Sequence, residues 1–299
     1  LGYNTSAPYG NIGIVENKGF DATVEYNKRF NKDWTLAIRG NITYNKDKWI
    51  EGELPEQRYD WMNQYGQNIL GKKGYIAEGL FTQAEIDDMA RWESLSQANK
   101  ATTPKPFASQ FGTVKAGDIK YKDLNNDGQI DAYDKTYICR GDVPTMVYGF
   151  GFTLGWKNLS LGMMFQGTHD AERIMSGIQP FNGGGGSGNL YSNIDDRWTE
   201  DNPNQNAFYP RLSYGAETSS NINNFQPSTW WVRDFSFLRL KTMQISYNLP
   251  KDWVNKVRLK NAAVYVMGTN LFTLSKFKLW DPELNTDNGA SYPNTTSYS

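Results

Sequence analysis

The chain has 299 residues, with 31 Lys and Arg against 32 Asp and Glu, so a formal charge of −1 gives no field to steer it towards nucleic acid. Mean hydropathy is −0.66 and the apolar residues are dispersed; even residues 262–274 are broken by Gly, Asn and Thr, far from the roughly 20 apolar residues of a spanning helix. One Cys (Cys139) excludes an intramolecular disulfide and one His (His169) argues against a multi-histidine metal site, whereas 18 Tyr, 15 Phe, 10 Trp and 28 Gly suit strands and turns.

The chain opens on Leu1 without a signal-peptide pattern and is read as a processed or partial chain. Its first strand places Phe20, Ala22, Val24 and Tyr26 on one face and Asp21, Thr23, Glu25 and Asn27 on the other. Asn31-Lys32-Asp33 turns the chain. Trp34, Leu36, Ile38, Ile42 and Tyr44 then oppose Thr35, Arg39, Asn41 and Thr43, which makes a hairpin.

A long connection, residues 47–143, follows. Within it Thr82-Gln83-Ala84-Glu85 has capping-box spacing, and Ile86, Met89 and Trp92 follow at helical intervals, predicting a loop-ordering helix that ends near Gln97. Pro104 and Pro106 force an extended path beyond it. Further along, Asp123, Asn125, Asp127, Asp131 and Asp134 place oxygen-bearing side chains at positions one, three, five, nine and twelve of a loop. Gly128 takes position six, and Gln129 at seven offers its carbonyl. That spacing predicts a structural Ca2+ site, weakened because Asp134 is shorter than the usual Glu; Asx turns without metal are the alternative.

The alternation then returns. Met146, Tyr148, Phe150, Phe152, Leu154 and Trp156 oppose Val147, Gly149, Gly151, Thr153 and Gly155; Lys157-Asn158 turns; Leu159, Leu161, Met163 and Phe165 oppose Ser160, Gly162, Met164 and Gln166. A second long connection, residues 170–229, includes the tetraglycine 183–186, read as a flexible loop tip because no Lys-Ser/Thr follows at phosphate-loop spacing. Met243, Ile245, Tyr247 and Leu249 then alternate with polar neighbours up to Pro250. The apolar phase shifts at Leu238 and Leu240, which predicts a bulge near Lys241. A less distinct strand covers 262–273, and the polar run 285–299 shows no closing element.

Alternation fits either a soluble sandwich or a transmembrane barrel. Three features favour the barrel. Trp34, Tyr44, Trp156, Tyr247 and Trp253 sit at strand ends, where an interfacial girdle places aromatics. The short turns at 31–33, 157–158 and 251–260 fall at one end of an up-and-down meander and the long loops at the other. The strand at 262–273 also needs one more to bring the chain back. The expected fold is therefore all-β, an antiparallel transmembrane β-barrel with long extracellular loops. No catalysis is expected: Asp87-Asp88, Asp195-Asp196 and Glu200-Asp201 lack a fixed separation, and His169 beside Asp170 lacks a nucleophile.

Four blocks carry a family resemblance: Gly117-Asp118-Ile119-Lys120-Tyr121-Lys122-Asp123 running on through Asp131, Ser236-Phe237-Leu238-Arg239-Leu240-Lys241, Asn270-Leu271-Phe272-Thr273, and Trp280-Asp281-Pro282-Glu283. In this order they resemble SusC/RagA-type TonB-dependent outer-membrane transporters, with a match reaching from Glu16 to the end. The resemblance implies that residues 1–299 are the C-terminal part of a barrel of about 22 strands, with the plug domain, earlier strands and final strand outside this chain. It implies import of nutrients, oligosaccharides or peptides, energised by TonB, with a SusD-like surface lipoprotein as lid, in the bacterial outer membrane and its lipid. Asp21, Glu25, Arg39 and Asn41 would line the conduit, and Trp61, Tyr65 and Phe181 are aromatics available to stack on sugars. The rival reading is a secreted soluble glycan-binding β-protein with a dockerin-like calcium loop.

Overall fold

Period-two sequences whose apolar side chains share one face pair their backbones side by side and, in register, present those side chains as one continuous apolar face. The computed structural model, which describes residues 12–175, 193–213 and 222–284, shows this arrangement. Strands β1 (Gly13–Arg29), β2 (Trp34–Gly52), β7 (Met146–Trp156), β8 (Leu159–His169), β11 (Phe237–Asn248) and β12 (Ala263–Ser275) form a six-stranded antiparallel sheet in that order. All neighbours in the sheet are sequential, so it is a meander.

Register aligns the apolar face across the sheet. Tyr26 pairs with Ile38, Ile38 with Phe152, Phe152 with Met163 and Met163 with Met243. The expected bulge is present: both ladders of β11 shift between Leu240 and Thr242, which returns Leu240 to the face of Phe165 and Phe272. The short turns gather at one end, where Lys157 N–H donates to Asp33 O (2.7 Å) and Asn248 N–H to Asn158 O (2.8 Å). Trp34 and Trp156 pair there, ring centroids 6.0 Å apart, and Trp253, exposed, lies on the short helix α3 (Lys251–Lys256) that follows β11.

The apolar band on β2 runs from Trp34 to Tyr44. Ten steps at about 3.3 Å, tilted about 40°, give a height of about 25 Å, which matches the apolar band of an outer-membrane barrel. Strands β1 and β2 are longer than alternation alone predicts: β1 begins at Gly13 and β2 continues to Gly52, a ribbon beyond the band. There Lys18 and Lys48 both pair with Glu16, at 2.7 and 3.0 Å.

The two long connections fold into a layer of their own at the other end. Among the described residues it contains three two-stranded ladders: β3 (Lys72–Gly74) with β6 (Thr136–Cys139), β4 (Ala77–Leu80) with β5 (Ile119–Tyr121), and β9 (Glu172–Ile174) with β10 (Val232–Asp234). Its core includes Tyr75, Ile119, Tyr121, Trp198, Tyr209, Trp231 and Phe235. Asp118, fully buried, is the hub. It accepts from Arg211 Nε (3.0 Å) and Nη2 (3.2 Å), from Asn224 Nδ2 (2.9 Å) and from Lys115 N–H (2.8 Å). Gly117 beside it has φ +84° and faces the Trp198 ring so closely that a Cβ would lie 2.2 Å from it, so glycine is required on both counts.

The capping box at Thr82 and Glu85 forms, but the helix it starts, α1 (Gln83–Glu93), stops short of Gln97. Ser94 Oγ donates to Arg91 O (2.7 Å), and Ser96 caps a separate turn, α2 (Gln97–Lys100), through Asn99 N–H. Two serines within three residues offered the backbone local partners that end a helix. The tetraglycine 183–186, Phe181 and the run 285–299 lie outside the described residues.

Burial pushes the Tyr75 phenol up to about 12 from its ordinary 10.0 and the Tyr121 phenol further in the same direction. An acid whose folded value is raised ionises first in the unfolded chain, so its contribution is intact below pH 10 and is lost as pH rises towards 12. An absorbance titration at the phenolate band should show these two tyrosines missing from the first wave in the folded protein and present in it after denaturation.

Candidate functional site

The polar face of the sheet carries a groove of about 470 Å³ lined by Glu25, Asn27, Arg39, Asn41, Thr153, Thr242 and Gln244 over a floor that includes Gly151 and Gly162. Small residues on β7 make it. A Cβ on Gly149 would meet Asn41 Oδ1 at 2.8 Å, and one on Gly155 would meet Thr35 Oγ1 at 2.3 Å, so the side chains of β2 lie across a bare β7 backbone. Glu25 and Arg39, directly paired across β1 and β2, are joined at 3.1 Å. Ser160 and Ser246 share a 2.6 Å hydrogen bond. Of the expected conduit residues, Glu25, Arg39 and Asn41 line this groove; Asp21 lies on the same face of β1 but nearer the loop layer, opposite Thr43.

At the loop end of this face, Arg239 is 2 % exposed and joins two of the resemblance-bearing blocks. Its guanidinium donates to Glu283 Oε2 (2.8 Å) and to Asp281, while Lys241 Nζ reaches Glu283 at 3.3 Å. Phe277 stacks on Phe235 at 4.1 Å, so the segment after β12 is held down over the loop end of the sheet. Periodicity gave no warning of this contact; the signal was the presence of Arg239 and Asp281 in the short blocks that carry the family resemblance.

Trp61 and Tyr65 do not reach the polar face. Trp61 stacks on Tyr59 (4.5 Å, 5° between planes) and its indole N–H donates to Tyr133 O (2.8 Å); the Tyr65 hydroxyl donates to Gly52 O. Arg58 lies over the Tyr133 ring at 4.8 Å, and its hydrogen bond to Tyr133 raises its already high pKa. His169 closes β8 with Nε2 3.5 Å from Asp170 and is exposed.

The oxygen-rich loop closes on its own backbone. Asp123 Oδ2 accepts from Gly128 N–H (2.8 Å), Asn125 Oδ1 from Asp127 N–H (3.0 Å), Asp127 Oδ1 from Gln129 N–H (2.9 Å) and Asp131 Oδ1 from Tyr133 N–H (2.7 Å). Asp134, buried, accepts from Leu124 N–H (2.8 Å) and Asp131 N–H (2.9 Å), and desolvation raises its pKa. Asn126 at φ 58° and Gly128 at φ 84° make the turn. Among the described residues no group of three or more His, Cys, Asp and Glu side chains is placed to hold a metal ion. Acceptor capacity remains, since a carboxylate has about four lone-pair sites, and Asp123 Oδ1 is buried without a hydrogen-bond partner. The donor set thus suits a hard cation chemically, while the observed turns are the Asx turns of the alternative reading.

No family model matches the chain. It is 28% identical over 279 residues to TonB-dependent receptor P26 of Formosa agariphila, a match covering 91% of this chain and 26% of that protein. To TonB-dependent receptor SusC of Bacteroides thetaiotaomicron it is 21% identical over 305 residues, covering 96% and 26%. The chain therefore spans about a quarter of the length of these curated relatives. Among solved structures, the RagAB peptide importer in its open-open state superposes with TM-score 0.63 at 23% identity, covering 93% of this chain and 27% of that one, a likeness of fold.

Proposed function

We propose that this chain, a SusC/RagA-like TonB-dependent receptor sequence of the bacterial outer membrane, is the C-terminal part of a closed β-barrel whose polar face lines an import conduit. The observation that carries the reading is the pairing of a continuous apolar face, of bilayer height, with a glycine-floored groove on the opposite face, edged by Glu25, Arg39, Asn41, Thr153 and Gln244 together with Ala37 and Met164. On this reading the exposed outer edges of β1 and β12 pair with further strands of a barrel of about 22, and the plug and TonB-contacting segment belong to the rest of the protein.

The cargo is a nutrient, an oligosaccharide in preference to a peptide, and a SusD-like lipoprotein covers the loop end. The side chains of the groove suit hydroxyl-rich solutes: Asn27, Asn41, Thr153, Thr242 and Gln244 offer donors and acceptors, and Glu25 and Arg39 cancel each other's charge. In the full-length receptor, Arg39→Ala should lower substrate affinity about two- to tenfold, the range for losing one charge-assisted hydrogen bond partly exposed to water. Unchanged affinity would remove Arg39 from the conduit.

A Ca2+ at the 123–134 loop is part of the same proposal, with Asp123, Asn125, Asp127, Asp131 and Asp134 as side-chain ligands and Gln129 through its carbonyl. The partnerless Asp123 Oδ1 supports it. Bound there, the ion would stiffen the loop and take no part in chemistry. Millimolar Ca2+ should raise the unfolding temperature of the loop layer, and Asp123→Ala should abolish the increment; a protein indifferent to both Ca2+ and chelator has Asx turns alone.

A further inference from the structure

We propose that residues 54–73 form an outer capture site for a neutral glycan, separate from the groove on the polar sheet face; the site rests on the import reading of the whole receptor. The loop encloses a groove of about 360 Å³, within the range of about 300–1,000 Å³ typical of small-molecule sites. Glu56, Gln57, Tyr59, Gln64, Tyr65 and Lys73 line it.

Two properties make the groove a site. First, it is held rigid, so a ligand does not have to order it. Trp49 N–H donates to Gln67 O (3.0 Å), Gly66 N–H to Trp49 O (2.8 Å) and Ile69 N–H to Asp47 Oδ2 (2.6 Å), which ties the loop to the projecting ribbon of β2. Tyr59 is backed by the stacked ring of Trp61, and Lys73 Nζ is fixed on Met62 O (2.7 Å). Second, the side chains of Glu56, Gln64 and the Tyr59 hydroxyl make no hydrogen bond among the described residues, so their polar atoms are available at the wall.

The lining selects the class of ligand. Of its side chains only Leu54 and Pro55 are apolar, which leaves no pocket for the apolar side chains of a peptide. Residues 53–71 contain no strand, and the one lining residue that lies in a strand, Lys73, belongs to β3, which is already paired with β6. Amides and phenols both donate to and accept from sugar hydroxyls, and carboxylates accept from them. Charge discriminates further: on the lining the carboxylates of Glu56 and Asp60 stand against one ammonium, Lys73, which is turned onto Met62 O, while Arg58 of the same loop lies over the Tyr133 ring. Uronic-acid and sulfated chains therefore meet net negative charge.

The test uses the full-length receptor in detergent, titrated with maltohexaose, laminarihexaose, mannohexaose and cellohexaose as neutral probes, hexaguluronate as the anionic probe and a mixed tetrapeptide pool. At least one neutral probe should bind and change tryptophan emission, with hexaguluronate at least tenfold weaker. Gln64→Ala combined with Tyr59→Ala should weaken the neutral probe at least fivefold without altering heat-dependent gel migration. Glu56→Lys should strengthen hexaguluronate binding, a gain that a misfolded variant would not give. Failure of every neutral probe to bind, equal or tighter binding of hexaguluronate, or unchanged affinity in the double variant overturns the capture site. In each of these cases, TonB-dependent uptake of any probe leaves the import reading standing. Absence of all uptake by a receptor correctly placed in the outer membrane fails that reading instead.

Discussion

Asp118→Ala is expected to destabilise the loop layer by about 3–5 kcal/mol, the usual cost of removing one partner from a buried ion pair. Asp118 is fully buried, the Arg211 side chain is 15 % exposed, and the carboxylate also holds Asn224 and Lys115 N–H. Asn224 in turn accepts from Ile119 N–H (2.9 Å), and Asn223 Nδ2 donates to Ile119 O (2.7 Å). Deleting one side chain therefore removes the carboxylate that holds Arg211, Asn224 and Lys115 N–H and loosens the contact between the two long connections. The sheet, whose ladders do not depend on this hub, should remain assembled. Limited proteolysis should cut the loops of the variant while its sheet stays protected, and chemical unfolding should show the loss as an earlier transition. Cleavage and unfolding identical to the parent protein would show that the hub contributes little.

The second large effect separates the two faces of one strand. Phe152→Arg puts a charge on the apolar face near mid-depth, where Phe152 pairs with Ile38 and Met163; it should cost about 2–4 kcal/mol and reduce assembly into the outer membrane. Thr153→Arg, one residue on and exposed over the groove, should change stability by only about 0.5 kcal/mol. The same charge at Trp156, near the short-turn end, should fall between them because the cost declines towards the interface. Equal effects at Phe152 and Thr153 would contradict the assignment of faces.

These expectations rest on elements that were unequally legible in the sequence. The alternating strands, the single end shared by the short turns and the bulge at Lys241 could be read directly, because a half-buried strand imposes a period of two on its residues. The ribbon formed by Gly13–Gly19 and Asn45–Gly52 was not legible: Lys18, Lys46, Asp47 and Lys48 are exposed or half-buried there, so no face demands apolar residues. The loop layer was hidden for a different reason. Its core joins Ile119 to Asn224 and Asp118 to Arg211, partners about a hundred residues apart with no periodicity between them. At the candidate site, the polar face followed from alternation, as Glu25, Arg39 and Asn41 show. The groove of residues 54–73 did not, because it depends on backbone contacts to β2 that no local pattern records. The oxygen spacing of 123–134 was plain in the sequence, but spacing alone does not distinguish oxygen atoms turned towards a cation from oxygens turned towards backbone amides.

On the proposed function, the apolar face of this sheet meets lipid as part of a closed barrel. The most direct test is to fractionate cells producing the intact native receptor and compare gel migration in detergent with and without boiling. Recovery in the outer membrane with a migration that shifts on heating is the predicted result. Recovery of a soluble protein whose migration is the same before and after boiling would contradict the account and favour a secreted glycan-binding β-protein.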